Sequence, residues 1–223
     1  MTGAMVDQGV LADVVLFRDL GPDALATVLA AASALELARG DLVFTVEDEP
    51  RDLYVVETGR IAIANRSEDG RESLIALMER GDLFGEMPLF DGLPRSAEAR
   101  ALEESQLIAI PYEPLREVFE REPGHLWRVV ELLAGRLRVT DAALADSVFL
   151  DVTGRTAKRL LELAGESDQF ELPITQEELA GMVGASRERV NKAIASFIRL
   201  GWLEAADGGY RITNRQQLTI RAR

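Results

Sequence analysis

The chain has 223 residues, 47% of them hydrophobic and 28% charged, with a net charge of −13. It holds no cysteine and a single histidine, His125, which excludes disulfides, thiol chemistry, cysteine-bound zinc or iron–sulfur centres and a histidine metal cluster. The longest apolar run falls far short of a membrane span and the N-terminal MTGAMVDQGV carries no leader pattern, so a soluble, cytoplasmic globular protein with no membrane or metal partner is expected. The acidity is uneven. Residues 1–147 carry 14 arginines against 28 acidic residues, a net −14, whereas residues 148–223 carry 11 Lys and Arg against 10 acidic residues, a net +1. The total charge argues against nucleic acid, but the last third can still hold a local basic face.

In chain order, residues 23–33 (DALATVLAAAS) predict a short helix behind a Gly-Pro start signal. From Leu35 to Pro111 the texture changes to short β-branched runs, DLVFTVE, LYVVETG, RIAIANR and LIALME, punctuated by Gly40, Gly59, Gly70 and Gly81. Runs of this length at intervals of roughly ten residues predict an all-β sandwich or roll, the glycines supplying positive φ at hairpin turns. A long helix is expected from Pro123 to Val148. Its apolar positions Leu126, Val130, Leu133, Leu137, Leu144 and Val148 make a heptad seam interrupted at Thr140. So narrow a stripe favours pairing with a second copy over packing onto the chain's own roll. FLDVTGR, residues 149–155, breaks the pattern; Asp151 or Thr153 can cap the next helix, 154–164.

Residues 175–203, TQEELAGMVGASRERVNKAIASFIRLGWL, are the most informative stretch. Thr175 with Glu178 makes a capping box, Gly184 a tight turn, and Ser186 a cap for a second helix. Two short helices about a glycine turn are the layout of a helix-turn-helix. On the second helix Val190, Ile194 and Phe197 share one face, while Glu188, Asn191 and Lys192 lie opposite, with Arg187 at the tip. Arg187 suits bidentate contact with guanine, and Glu188 can accept from cytosine N4. LEAADGGYRIT then predicts a β-hairpin with Gly208-Gly209 at its turn, the wing of a winged helix. The candidate DNA-contacting residues are Thr175, Gln176, Ser186, Arg187, Glu188, Asn191 and Lys192.

The order of an acidic β-roll, a seam helix and a winged helix-turn-helix resembles the CRP/FNR family of bacterial transcription regulators along nearly the whole chain. The likeness is carried by FGEMPLFDGLPRS (84–96), GRLRVTDAALADSVFLDVTGR (135–155) and TQEELAGMVGASRERVNKAI (175–194), and it is greatest to the cyclic AMP receptor proteins, including those of actinobacteria. The resemblance implies an α+β chain in three parts. A jelly-roll-like cyclic-nucleotide-binding β-roll would occupy residues 1–122, a dimerisation helix 123–148, and a winged helix-turn-helix DNA-binding domain 149–223.

The same resemblance implies a nucleotide site. Gly85 and Glu86 match the Gly-Glu pair whose glutamate binds the ribose 2′-hydroxyl. Arg95 matches the arginine on the cyclic phosphate, Ser96 the phosphate-binding hydroxyl, and Ala97 the neighbouring amide. Thr140 and Asp141 match the pair that contacts adenine, the second from the partner subunit; Asp141 departs from the usual serine or asparagine and can accept from the adenine 6-amino group but cannot donate. An arginine fork in an apolar loop suits phosphate oxygens in its own right. The alternative is that Glu86 and Arg95 form an internal ion pair that only shapes the roll. The expected protein is therefore a homodimer, switched by cyclic AMP as an allosteric ligand, that swings its DNA heads about a hinge at Ser147–Val152. It would bind double-stranded DNA at a pseudo-palindrome with TGTGA-like half-sites, with RNA polymerase as a further partner. No P-loop, nucleophile–base pair or metal constellation points to an enzyme.

Overall fold

The computed structural model describes residues 8–66 and 72–223, Gln8 by its backbone alone. The chain divides into two compact units, one of residues 1–65 with 75–137, the other of residues 66–74 with 138–223.

The first unit opens with two helices, α1 (Gln8–Asp13) and α2 (Pro22–Ala31). Proline in the first turn of α2 costs nothing, because its missing N–H would have no intrahelical partner. The helix stops earlier than expected: Ala32 is extended and Ser33 opens strand β1 (Ser33–Leu37). Then follow β2 (Leu42–Phe44), β3 (Asp52–Thr58), β4 (Ile61–Arg66), β5 (Glu72–Met78), β6 (Leu83–Phe84), a short helix α3 (Met87–Asp91), β7 (Glu98–Ala101), β8 (Ser105–Pro111) and α4 (Tyr112–Arg121). The four β-branched runs seen in the sequence are β2 to β5. The strands form two four-stranded sheets, ordered β1-β8-β3-β6 and β2-β7-β4-β5. Gly40, Gly59 and Gly81 have the positive φ expected of them; Gly70 lies outside the described residues.

The run LYVV is apolar at every position because β3 is covered on both faces. Successive side chains point to opposite sides of a strand. Leu53 and Val55 join Ile108 and Ile110 of β8 beneath α1, α2 and α4. Tyr54 and Val56 face the other way, into the interior of the roll, with Leu107, Phe84, Phe44, Ile61, Ala99 and Ala101.

A 3-10 turn, Pro123–His125, leads into α5 (Leu126–Phe149). His125 sits in this turn, its Nε2 3.1 Å from Glu122 Oε2. The helix carries two stripes. Val129 and Leu132 pack on the roll's outer core, and Arg136 continues that spacing by one more turn. The heptad residues Leu126, Val130, Leu133, Leu137, Leu144 and Val148 are all exposed in the single chain, by 38% to 67%.

In the second unit, α6 (Val152–Ala164) starts two residues earlier than the 154–164 expected, and its N-cap is Asp151, whose carboxylate accepts from Gly154 N at 2.8 Å. Strand β9 (Gln169–Glu171), α7 (Gln176–Val183), α8 (Arg187–Arg199), β10 (Leu203–Ala206), β11 (Gly209–Ile212) and α9 (Arg215–Arg221) complete the chain. Helix α6 packs against α7, α8 and α9. The three strands form one antiparallel sheet, β10-β11-β9.

The sheet corrects one detail of the wing. The hairpin turns on Asp207 and Gly208, the latter at φ +69°, and Gly209 is already the first residue of β11 opposite Ala206. Gly209 is required for a different reason. A Cβ there would lie 2.1 Å from the Phe170 carbonyl oxygen and 2.7 Å from Glu171 Cα, because β9 runs directly alongside.

Candidate functional site

The segment FGEMPLFDGLPRS starts at the last residue of β6 and contains α3. Gly85, at φ +77°, turns the chain at the end of β6, and a Cβ at this position would lie 2.8 Å from Arg95 Nη1. Glycine is therefore needed both for the backbone and for the approach of the guanidinium.

Arg95 is 6% exposed and lies inside the roll. Its Nη1 donates to the Gly85 carbonyl (2.8 Å) and to Tyr112 Oη (3.0 Å), and its Nη2 to the Asp52 carbonyl (2.8 Å). The guanidinium carbon sits 4.1 Å from the centroid of the Phe44 ring, a cation–π stack. Tyr112 in turn donates to the Gly85 carbonyl. Burial pushes its phenol up to about 12, so it keeps the proton that this bond needs. None of these partners is a carboxylate, and Arg95 Nε is buried without a hydrogen-bond partner among the described residues. A cation taken out of water is expensive unless a counter-charge meets it. The arrangement thus holds a fixed positive charge with a buried, unpartnered N–H, the chemistry of an anion site.

Glu86 is fully buried, and it does not pair with Arg95. Its Oε1 is held by Arg136 Nη1, and Arg136 Nη2 donates to the Leu83 carbonyl. The internal Glu86–Arg95 pair considered from the sequence is therefore absent. Glu86 Oε2 is buried with no partner among the described residues and can accept a hydroxyl. Ser96 is exposed beside Met87, whose Sδ lies 3.8 Å from its Oγ, and Ala97 is buried. The structure thus brings Gly85 and Arg95 into direct contact and adds three groups the sequence did not reveal: Tyr112, the Asp52 carbonyl and Arg136. The fit to a cyclic nucleotide rests on the two orphaned polar atoms, a donor on Arg95 and an acceptor on Glu86. Thr140 and Asp141 are exposed on α5 in the second unit.

The helix-turn-helix is as its sequence predicts. Thr175 and Glu178 form both arms of a capping box, Gly184 adopts the left-handed turn at φ +67°, and Ser186 caps α8 by accepting from Arg189 N. Val190, Ile194 and Phe197 are buried, whereas Arg187, Glu188, Asn191 and Lys192 are exposed on the outer face. Arg189, in the first turn of α8 but not among the candidate DNA-contacting residues, is exposed one turn before Lys192. Gln176 is half-buried rather than free: its Nε2 donates to Tyr210 Oη on β11 at 3.0 Å, joining the start of α7 to the wing.

Among the described residues no helix is long and apolar enough to cross a membrane, and no group of three His, Asp or Glu side chains could hold a metal. Comparison with known proteins agrees with this architecture. Residues 34–122 match the cyclic nucleotide-binding domain family, and residues 154–220 match the Crp-like helix-turn-helix domain family. The chain is 37% identical over 222 residues to a CRP-like cAMP-activated global transcriptional regulator of Mycobacterium tuberculosis, covering 96% of this chain and 99% of the relative. A solved structure of the c-di-GMP-responsive global regulator CLP of Xanthomonas campestris is 26% identical with a TM-score of 0.74, over 86% of this chain and 99% of that one. A crp/fnr-family regulator of Eubacterium rectale shares the fold, with a TM-score of 0.78 at 19% identity over 93% and 97% of the two chains. The Mycobacterium tuberculosis and Xanthomonas campestris relatives are both named as global regulators. With its two domain matches and its near full-length relative, the chain belongs to the CRP/FNR family of transcription regulators.

Proposed function

We propose that the protein is a cyclic AMP-responsive, homodimeric DNA-binding regulator acting on a pseudo-palindrome with TGTGA-like half-sites. The observation that carries the ligand assignment is Arg95: a buried guanidinium satisfied only by carbonyls, a phenol and an aromatic face. A cyclic phosphate has a single negative charge and would supply the missing counter-charge, with Ser96 and the Ala97 amide on its other oxygens. Glu86 would take the ribose 2′-hydroxyl, and Thr140 and Asp141, the latter from the partner subunit, the base. The name of the Mycobacterium tuberculosis relative supports cyclic AMP as the effector.

Dimerisation runs through residues 123–148, flanked by the roll at 1–122 and the DNA-binding domain at 149–223. The exposed heptad stripe on α5 supports it, since so regular an apolar row on a single chain calls for a partner. Two recognition helices α8 would then enter major-groove turns roughly 34 Å apart. Thr175, Gln176 and Ser186 at the two helix starts would hold phosphates, while Arg187, Glu188, Asn191 and Lys192 read bases, and RNA polymerase would be met in the cytoplasm. A second reading keeps the DNA function and changes the effector. It is favoured by the exposed carboxylate of Asp141 and by the c-di-GMP-responsive relative.

A labelled palindrome titrated with protein, alone and with cyclic AMP or cyclic GMP, separates these readings. Cyclic AMP should tighten the complex and bind in calorimetry, and Arg95→Ala should remove that heat. Heat unchanged by Arg95→Ala would sink the phosphate assignment.

A further inference from the structure

The geometry points to Arg155 as the residue that makes the helix-turn-helix follow the end of α5. Arg155 lies in the first turn of α6. Its Nη1 donates to the Leu150 carbonyl at 2.7 Å, its Nε to the Val183 carbonyl at 2.8 Å, and its Nη2 reaches the Gly184 carbonyl at 3.5 Å. Leu150 is the first residue beyond α5, whereas Val183 and Gly184 end α7 and form the turn into α8. The acceptors are thus carbonyls at the C-terminal ends of two helices, groups with no intrahelical donor and a partial negative charge.

One guanidinium therefore serves two helix ends at once. The two links use different nitrogens of one rigid plane, so moving the Leu150 carbonyl obliges the α7–α8 turn to move with it or breaks a bond. A lysine offers a single compact ammonium and could not hold both sites in a fixed relation. Two further contacts fasten the same junction without reaching the turn: Asp146 to Lys158 at 2.5 Å, and Asp151 to Arg221. Arg155 spans from the α5 end to the recognition helix's own turn. It is a positioning residue: its donors are committed to the protein's carbonyls rather than to DNA.

The test uses the full-length dimer with Arg155→Gln and Arg155→Lys. Its ligand arm rests on the cyclic AMP reading above; its distance arm does not. In the first arm, the gain in DNA affinity on adding cyclic AMP should fall by about fivefold or more in Arg155→Gln, while the slope of log affinity against log salt stays unchanged. In the second arm, nitroxides at Phe149→Cys and Arg199→Cys, in a chain with no other cysteine, report the distance from the α5 end to the α8 end. Labelled chain is diluted in unlabelled chain to give one labelled protomer per dimer. The distribution should be narrow with Arg155 and broad in both variants. A salt slope reduced by about one would make Arg155 a phosphate contact and overturn the proposal. Equal loss of affinity with and without cyclic AMP would also overturn it, as would an unbroadened distribution. Wild type that shows no response to cyclic AMP sinks the cyclic AMP reading, and the distance arm then decides the role of Arg155. Should Arg155→Gln fail to fold, Arg155→Lys carries both arms.

Discussion

The carboxylate of Glu86 is held by Arg136 from α5, fifty residues away, and not by Arg95, nine residues away in the same loop. Arg136→Ala should leave a buried, uncompensated carboxylate and cost about 3 kcal/mol in chemical denaturation. Glu86→Gln, which removes the charge along with its need for a partner, should cost less. If Arg136→Ala proved the milder of the two, the pair would hold no desolvated charge.

Gly209→Ala places a methyl where the Phe170 carbonyl already stands. It should separate β9 from β11 and weaken DNA binding through the wing, with a stability loss on the order of 2 kcal/mol. Gly165→Ala makes a useful contrast, since nothing lies near its Cβ and only backbone strain at φ +54° opposes it. Equal effects of the two would argue that β9 can move aside.

Leu133→Asp sets a charge in the middle of the exposed stripe of α5. Sedimentation should then give monomers at concentrations where the unaltered chain is dimeric. A dimer that persists would place the subunit contact elsewhere.

Arg187 is exposed at the tip of α8, where a side chain can reach a base edge. Arg187→Ala should cost about 1–3 kcal/mol and relax preference at a single guanine. A loss shared evenly by all sequences would restrict Arg187 to phosphate contact.

The Gly154 backbone amide, and after it the Arg221 guanidinium, hold the Asp151 carboxyl below the usual aspartate range. A folded-state value lower than the unfolded one stabilises above the unfolded value and fades as pH falls through the folded value. Asp151→Ala should therefore cost about 1 kcal/mol near neutral pH. The gap from wild type should close as urea unfolding is repeated below about pH 4. A gap that is the same at both ends of that range would mean the cap works without its charge.

Much of this was legible in the chain because it depends on neighbours in sequence. The capping box, the helix caps, the glycine turns and the face of α8 span a few residues, and local stereochemistry settles them. The groups around Arg95 were not legible. Asp52, Gly85 and Tyr112 come from β3, the end of β6 and α4, and meet only when the sheets close. Strand β9 is three residues long, too short to show a period, yet it decides why Gly209 is glycine. One missed signal was present: Val129, Leu132 and Arg136 repeat at helical spacing beside the heptad stripe, marking a second face of α5 turned to the roll.

Patterning and turn chemistry act over short separations, so the roll, the long helix, the winged helix-turn-helix and the acidic and near-neutral parts could all be read along the chain. Tertiary structure alone decided the partners of buried charges. Glu86 finds Arg136 and Arg95 finds three neutral acceptors, since desolvation lets a charge persist only where folding delivers compensating groups, whatever their distance along the chain.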